Sequence, residues 1–428
     1  MTALINNGPL QEHHGHPNGL NLSAYHQCGE WLDILYKNCP DKPCVSFKYS
    51  STGERSLHTS YYIGLDWLET GKLAVYVEPK MNNDRRQTDY FKMLFHALSN
   101  PQVNSHVEDL FEIKMKEPHI KINQSKDLIT PLLILQFLEL TSKIVKKGLK
   151  KSYNTVSNNL KGRIKGKLLV PKSIKMNSVK GKVQDAYCQY TVFDVNGIEN
   201  RVLKKAISFC RRYLDNHQLA ANTKYFQHLL AYITPAFQFV TTETENSEIR
   251  NVKQTSFFKE YKAALRLAEL IFKRYGYNIG KVKPENEIVS VPPFWIDMSK
   301  LFELYTLSLL RDRFASNVLY HFGNSANELD FLLDHADYKL VIDAKYKPFY
   351  STGIDHQDVR QVSGYSRLDV VYDRLGYSAV ELIRCLIIYP LDSGMEHFKG
   401  ENFKYEPIAG YKEIYKLGIK LPLVGIGS

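Results

Sequence analysis

Two aspartates and a lysine near residue 340 have the types and spacing needed for metal-dependent hydrolysis. Asp343 and Lys345 stand two positions apart at the end of the apolar run 340–342, and Asp330 precedes them in a second apolar segment. Strand side chains alternate in direction, so Asp343 and Lys345 are expected on one face. The two carboxylates and the carbonyl of Ala344 are oxygen ligands of the kind that Mg²⁺ prefers. The pattern predicts a metal site that activates water and stabilises charge on a phosphodiester, with Lys345 orienting that water.

A β-hairpin must bring these groups together. Residues 329–333 and 340–342 are predicted strands, and a polar turn at 334–337 joins them. The hairpin also brings Glu328 near Asp343, with the register open by two residues. An apolar run that leads directly into Asp343 is typical of a buried central strand ending at a sheet edge or cleft. The competing interpretation is a salt-bridged strand end without catalysis, because the spacing pattern alone is degenerate.

The flanking segments predict two helices and a further strand. Residues 297–311 form an amphipathic pattern that would aim Glu303 toward the same metal. A helix beginning near Asp358 carries Gln361, which would contact the phosphate or the water. Residues 384–390 are a further core strand. The order helix, strand, strand, helix, strand is that of the restriction-endonuclease-like α/β core, although Glu303 and Gln361 are individually as well explained as helix-surface residues.

A basic segment, residues 143–182, contains 13 Lys or Arg and no Asp or Glu. The whole chain has a net charge of +11, so the remaining residues sum to −2. Such a segment favours contact with a phosphate backbone or with an acidic protein surface. A solvated helix end and hairpin is the alternative. The residues expected to contact DNA or a partner are Lys161, Arg163, Lys165, Lys167 and Lys172.

Several classes of function are disfavoured by the sequence. The segment 162–168 resembles a phosphate-binding loop, but its spacer is one residue short and Leu168 has no hydroxyl for Mg²⁺. We therefore expect no nucleotide to be bound by this chain. The six cysteines include no CxxC pair, which argues against a disulfide scaffold or a four-thiolate zinc site. The apolar stretch 128–140 is too short to cross a bilayer and no signal peptide is recognised, so a cytoplasmic protein without membrane contact is expected.

Length and composition predict an α+β multidomain chain. With 428 residues, of which 44% are hydrophobic, two or three domains are the natural expectation. The predicted parts are a flexible leader at 1–25, whose histidines belong to a polar tail, a β-rich N-terminal module at 26–122, a basic helical middle domain at 123–285 and the endonuclease-like α/β domain at 286–428. Predicted elements before the last domain are strands at 44–49, 61–64 and 73–79 and helices at 88–98, 132–149, 199–215 and 257–275.

Six blocks, in order, make the sequence resemble the McrC family, the nuclease subunits of McrBC-type modification-dependent restriction systems. The resemblance runs from about residue 125 to 392, and each block alone is weak. The blocks are LKGRI at 160–164 with PKSI at 171–174, ENRVLKKAI at 199–207, MSKLFELYTLSLL at 298–310, Asp330 with DAKY at 343–346, Gln361 with Tyr365, and LIIYP at 386–390.

The resemblance implies a PD-(D/E)xK endonuclease that uses Mg²⁺ and works with a separate AAA+ GTPase, an McrB-like motor hexamer. In that family the middle region docks into the motor ring and stimulates GTP hydrolysis, and the substrate is double-stranded, methylated DNA. The basic segment would then contact the motor as much as DNA.

The sequence departs from the family pattern in two places. Leu329 replaces the proline before Asp330, which leaves the acid itself intact. The β-rich module is absent from short members and is expected either to read DNA or to dock a partner. The alternatives are a LlaJI-like, sequence-specific restriction subunit and a non-catalytic DNA-binding adaptor with a degenerate nuclease core.

Overall fold

The computed structural model describes most of the chain. The described residues are 3–4, 10–13, 15–16, 33–49, 55–83, 86–98, 100, 103, 106, 110–123, 130–216, 224–242, 259–274, 288–324, 327–398 and 403–424.

The described elements are mixed helices and strands, in agreement with the predicted α+β class. The strands are β1 (Ala3–Leu4), β2 (Leu10–Gln11), β3 (Gly15–His16), β4 (Ile34–Leu35), β5 (Pro43–Tyr49), β6 (Arg55–Thr59), β7 (Tyr62–Glu69), β8 (Leu73–Glu78), β9 (Phe111–Ile113), β10 (Ile120–Asn123), β11 (Ser152–Lys161), β12 (Lys167–Leu168), β13 (Asp185–Asp194), β14 (Ile288–Val291), β15 (Phe294–Asp297), β16 (Val318–Asn324), β17 (Asn327–His335), β18 (Tyr338–Ala344), β19 (Arg384–Met395), β20 (Glu406–Pro407) and β21 (Ile414–Ile419). The helices are α1 (Tyr90–Leu98), α2 (Thr130–Lys147), α3 (Val170–Met176), α4 (Ile198–Asn216), α5 (Lys224–Ala236), α6 (Lys259–Arg274), α7 (Met298–Phe314), α8 (His356–Tyr365) and α9 (Asp369–Leu375).

The chain divides into two compact units. Residues 1–123 and 288–428 together form unit 1, and residues 124–287 form unit 2. The expected division of unit 1 into an N-terminal module and an endonuclease domain stays a prediction. The expected boundary loop at 281–293 lies partly outside the described residues.

One sheet of unit 1 joins the N-terminal strands to a strand from much later in the chain. Its described strands run in the order β1-β8-β7-β15-β9, with β2 also pairing with β8. Gly64 of β7 lies opposite Trp295 of β15, where a Cβ atom would come within 2.0 Å of the Phe294 carbonyl oxygen. Two residues further along β7, the buried Asp66 accepts hydrogen bonds from Trp295 Nε1 and Lys114 Nζ, both at 2.7 Å. This sheet therefore holds the strand that leads directly into α7.

Some of the residues described within 1–25 belong to this sheet, and the expectation of a flexible leader stays a prediction. Leu10 and Gln11 pair with Val77 and Glu78 of β8, and Leu10 is buried in the core. The side chain of Glu12 is fully buried. The burial of Leu10 and the backbone pairing of residues 10 and 11 with β8 hold this segment on the sheet. His14, His26 and Cys28 lie outside the described residues.

The second six-stranded sheet among the described residues carries the predicted hairpin. Its order is β16-β17-β18-β19-β21-β20, with β18, β19 and β21 mutually parallel. Strands buried on both faces read as continuous apolar runs, which explains residues 340–342 and 385–388. Helices α8 and α9 pack on the sheet through Val359, Val362, Val371 and Leu375. Strand β16 was not predicted, so the observed order begins with one more strand than expected.

Unit 2 combines a helical bundle with an extended three-stranded sheet. Helix α2 packs against α5 and α6, and it has Pro131 in its first turn and two lysines in its last, as expected for helix ends. Strands β11 and β13 pair along their whole lengths, and β12 pairs with β13. Helix α3 next to them has no buried residue. No helix among the described residues is both long enough and apolar enough to cross a membrane.

Candidate active site

Asp330 and Asp343 meet where the β17–β18 ladder ends. Phe331 pairs with Ile342, so the two aspartates are the next residues along their strands. The Ala344 N–H donates a hydrogen bond to Oδ2 of Asp330 at 2.8 Å. This resolves the register that the sequence left open: Glu328 instead lies opposite Gly323 of β16.

The carboxylate of Asp343 is buried, and Lys345 is its ion-pair partner. The residue is 1% exposed, and Lys345 Nζ lies 2.9 Å from Oδ2. The other oxygen, Oδ1, has no hydrogen-bond partner among the described residues. A buried charge is costly unless it is paired and hydrogen-bonded, so this side chain is suited to an additional positive charge.

Lys345 is held between the sheet and helix α8. Its N–H donates to the carbonyl of Ile388 on β19 at 2.8 Å, and its Nζ donates to Oε1 of Gln361 at 2.9 Å. Gln361 Nε2 in turn donates to the hydroxyl of Tyr365 at 2.8 Å. Helix α8 begins after Asp355, whose side chain caps the N–H of Gln357. The structure therefore brings Gln361 to the lysine rather than leaving it isolated on the helix surface.

Glu303 on α7 belongs to a hydrogen-bonded cluster with strand β16. Its Oε1 accepts from the Tyr320 hydroxyl at 2.6 Å and from Lys300 Nζ at 3.2 Å, and lies 3.0 Å from Nε2 of His321. Burial alone would raise the pKa of Glu303, but these partners lower it below its ordinary value. The aromatic run of β16 is a strand signal in the sequence, but alternation along a strand would place Tyr320 and His321 on opposite faces. The backbone at His321 departs from the extended conformation with a φ of 50°, which no local pattern indicates.

The electrostatics of the site favour a bound cation. Burial raises the pKa of Asp330 well above its ordinary value, and the charges of Asp343 and Glu303 raise it further. Burial likewise raises the pKa of Asp343, although Lys345 opposes the shift. Carboxylates that share one buried region cannot all ionise without compensation. A divalent cation would provide that compensation.

The donor set is compatible with a hydrated cation. In an extended strand the N–H and C=O of one residue point to the same side, so the Ala344 carbonyl faces the side of Asp330. No three His, Cys, Asp or Glu side chains converge as a metal-binding group in the part of the chain that the structure describes. Two carboxylates and one carbonyl leave room for waters and phosphate oxygens, which Mg²⁺ commonly retains.

The predicted DNA or partner contacts lie in unit 2, whereas the aspartates lie in unit 1. All five side chains are exposed, and they are Lys161, Arg163, Lys165, Lys167 and Lys172. Lys165 Nζ lies 4.4 Å from the centre of the Tyr190 ring, and Lys172 Nζ lies 4.2 Å from that of Tyr187. Aromatic faces thus orient two of these cations.

Comparisons with known proteins identify a family. No curated protein matches the chain. A solved structure described as McrB AAA+ hexamers with bound McrC from Thermococcus gammatolerans is similar at 16% identity and a TM-score of 0.40, covering 98% of this chain and 94% of that chain. A second structure, of the McrBC complex of the same organism, is similar at 15% identity and a TM-score of 0.27, covering 72% and 87%.

Both TM-scores are low, and the family assignment rests on a sequence match. The family model described as the McrBC 5-methylcytosine restriction system component matches residues 57–377, which is more than half of the chain. The matched range includes the hairpin, both aspartates and Lys345. The chain belongs to the family of McrBC 5-methylcytosine restriction system components.

Proposed function

We propose that this chain is the nuclease subunit of its restriction system, an Mg²⁺-dependent endonuclease with a PD-(D/E)xK site that cleaves DNA phosphodiester bonds. The observation that carries the proposal is the buried Asp343 carboxylate, which pairs with Lys345 through Oδ2 while its Oδ1 has no hydrogen-bond partner in the part of the chain that the structure describes. A structural salt bridge would normally be fully hydrogen-bonded, because an unsatisfied buried group destabilises the fold.

Each residue of the site has a role that its position supports. Asp330, Asp343 and the carbonyl of Ala344 would hold Mg²⁺, which would supply a Lewis acid for the scissile phosphate and a water of lowered pKa. Lys345 orients the attacking water, and its bond to Gln361 keeps the ammonium group from turning away. Glu303 adds negative charge near both aspartates, which strengthens the attraction for a cation.

The partner in this proposal is an AAA+ GTPase motor of the McrB type, whose GTP hydrolysis the chain stimulates. The structures of the Thermococcus gammatolerans system are described as McrB AAA+ hexamers with bound McrC. In this chain, the segments that connect the strands of the unit 2 sheet expose apolar side chains among their lysines, including Ile164 (66% exposed), Val179 (78%) and Val183 (90%). Exposed apolar groups within a basic surface favour a protein partner, since phosphate contacts alone need only charge.

The test is cleavage of double-stranded DNA by the chain together with an McrB-type GTPase, GTP and Mg²⁺. Asp343→Ala is expected to abolish cleavage while retaining GTPase stimulation. Asp337→Asn is the matched control, because Asp337 lies on the exposed turn of the same hairpin with its side chain 79% exposed. Cleavage by Asp343→Ala at the wild-type rate would refute the site.

Two further outcomes separate the alternatives. Equal cleavage of methylated and unmethylated DNA at a fixed sequence would identify a LlaJI-like specificity. Absence of cleavage by the wild-type chain under all these conditions would favour the non-catalytic adaptor.

A further inference from the structure

A half-buried lysine just after β8 holds the backbone next to the active-site lysine. Lys80 lies two residues after the end of β8, and its Nζ donates to the carbonyl oxygen of Tyr346 at 2.6 Å. The same ammonium group lies 4.0 Å from the centre of the Tyr346 ring and 4.9 Å from that of Tyr61. Tyr346 is 3% exposed and immediately follows Lys345. The contact therefore connects the first sheet of unit 1 to the end of strand β18.

The position of Lys80 is fixed by a buried acid from the first residues of the chain. Oε1 of Glu12 accepts from the Lys80 N–H at 3.1 Å, and Glu12 is fully buried. Burial lowers the pKa of Lys80 to about 8, although Glu12 opposes the shift. Burial raises the pKa of Glu12 to about 7. An apolar side chain in place of Lys80 would fill the same space at a lower desolvation cost. The presence of charged groups at Glu12 and Lys80 is therefore consistent with a role for the hydrogen bond from Lys80 to the Tyr346 carbonyl.

Each residue of the segment 345–347 has a contact that fixes it. The Lys345 N–H is bound to β19, the Tyr346 carbonyl is bound to Lys80, and Lys347 Nζ lies 2.8 Å from Asp355 and 2.9 Å from Asp358. If the Lys80 contact is lost, the Tyr346–Lys347 peptide keeps only the bond from its N–H to the Lys345 carbonyl at 2.7 Å. The backbone that follows Lys345 is then less constrained, and the direction of the Lys345 side chain can change. A displacement of about 1 Å from productive geometry is enough to reduce a rate by about 100-fold.

We propose that Lys80 is a positioning residue of the active site, which fixes the Tyr346 carbonyl and thereby directs Lys345 toward Asp343. This inference rests on the proposed nuclease function. It gives the N-terminal module a role that the sequence left undecided, which is to hold the backbone that follows the catalytic strand β18.

The test uses Lys80→Met in the full chain with its GTPase partner. The expected result is at least a tenfold fall in the single-turnover cleavage rate, with the KM for DNA and the GTPase stimulation unchanged. Lys72→Met is the matched control, because Lys72 lies in the β7–β8 turn with its side chain 69% exposed. In a Lys345→Met background the further effect of Lys80→Met should vanish, since both changes act through the same ammonium group.

Hydrogen–deuterium exchange supplies a readout that does not depend on cleavage. Peptides covering 343–350 should exchange faster in Lys80→Met, while those covering β8 keep their wild-type protection. The double variant Glu12→Gln/Lys80→Met removes both buried charges and should show the same local exchange and the same fall in rate.

The inference is overturned if Lys80→Met cleaves at the wild-type rate with unchanged exchange. It is also overturned if both variants lose cleavage, GTPase stimulation and thermal stability together, because Lys80 would then serve the fold alone. Failure of the proposed function is a different result: wild type and Lys72→Met would both fail to cleave, while the exchange experiment would still report on the Lys80 contact.

Discussion

Replacing Asp343 by Asn tests the metal site through stability as well as activity. Asp343 is one of the two proposed carboxylate ligands. It is only 1% exposed, so bulk water cannot take the place of its carboxylate as a ligand. A ligand that binds only the folded state stabilises it by about 2.7 kcal/mol at roughly 100 times its Kd. Loss of an outer-shell partner alone weakens metal binding by about 10–100-fold, so losing a direct carboxylate should cost at least about 100-fold.

These magnitudes give a measurable difference. At an Mg²⁺ concentration of roughly 100 times the wild-type Kd, the Asn variant would be near its own Kd. Its stabilisation by Mg²⁺ would then fall from about 2.7 to about 0.4 kcal/mol. Urea unfolding with and without Mg²⁺ measures this gain within each variant, so other effects of the substitution cancel.

Asp337→Asn is the control and should keep the full gain. An equal Mg²⁺-dependent gain in Asp343→Asn and wild type would refute the assignment of Asp343 as a ligand. So would the absence of any gain in wild type at concentrations that support cleavage.

Four further predictions follow from the geometry. Because burial raises the pKa of both site aspartates, the metal-free folded chain holds protons that the unfolded chain releases. The free energy of unfolding of the metal-free chain should therefore fall as the pH rises above the ordinary carboxyl range, while the affinity for Mg²⁺ should rise. An Mg²⁺ affinity that does not change with pH would contradict this. Asp66→Ala leaves the Lys114 ammonium group and the Trp295 indole N–H without their shared acceptor, and it should lower the free energy of unfolding by about 3–5 kcal/mol. A loss below about 1 kcal/mol in a urea titration would show that these hydrogen bonds are dispensable. Lys165→Glu should weaken GTPase stimulation and make it less salt-sensitive without changing the melting temperature, because one attractive charge is removed. Lys347→Met should slow cleavage but leave GTPase stimulation intact, because Lys347 joins the residues after Lys345 to the start of α8 through Asp355 and Asp358.

The agreement between predicted and observed elements is best for long segments. Helix α2 was predicted at 132–149 and spans Thr130–Lys147. Helix α7 was predicted at 297–311 and spans Met298–Phe314, but the expectation that it is amphipathic was wrong, because residues 304–310 are all buried and the helix lies in the core. The expected helix at 257–275 corresponds to α6, although its predicted ends lie outside the described residues. These elements are set by side-chain spacing within one segment, and that information is local.

The candidate site could be predicted only in part, for the same reason. Alternation along β18 is a local property, so it placed Asp343 and Lys345 on one face. The hairpin turn is also local, and it brought Asp330 to them. The pairing of Lys345 with Gln361 depends on how α8 packs on the sheet. The sequence alone therefore left two interpretations of Gln361, as a site residue and as a helix-surface residue.

The sequence by itself determined several of the long helices and the β17–β18 hairpin, and it concentrated the acids and the lysine at one strand end. Only the tertiary structure decided that Glu303 bonds to β16, that β15 pairs with β7, and that Lys80 reaches the backbone after Lys345. The Lys80 contact joins residues 266 positions apart. No local periodicity specifies such a partner, because it is selected by the burial of apolar surface and the pairing of buried charges across the whole fold.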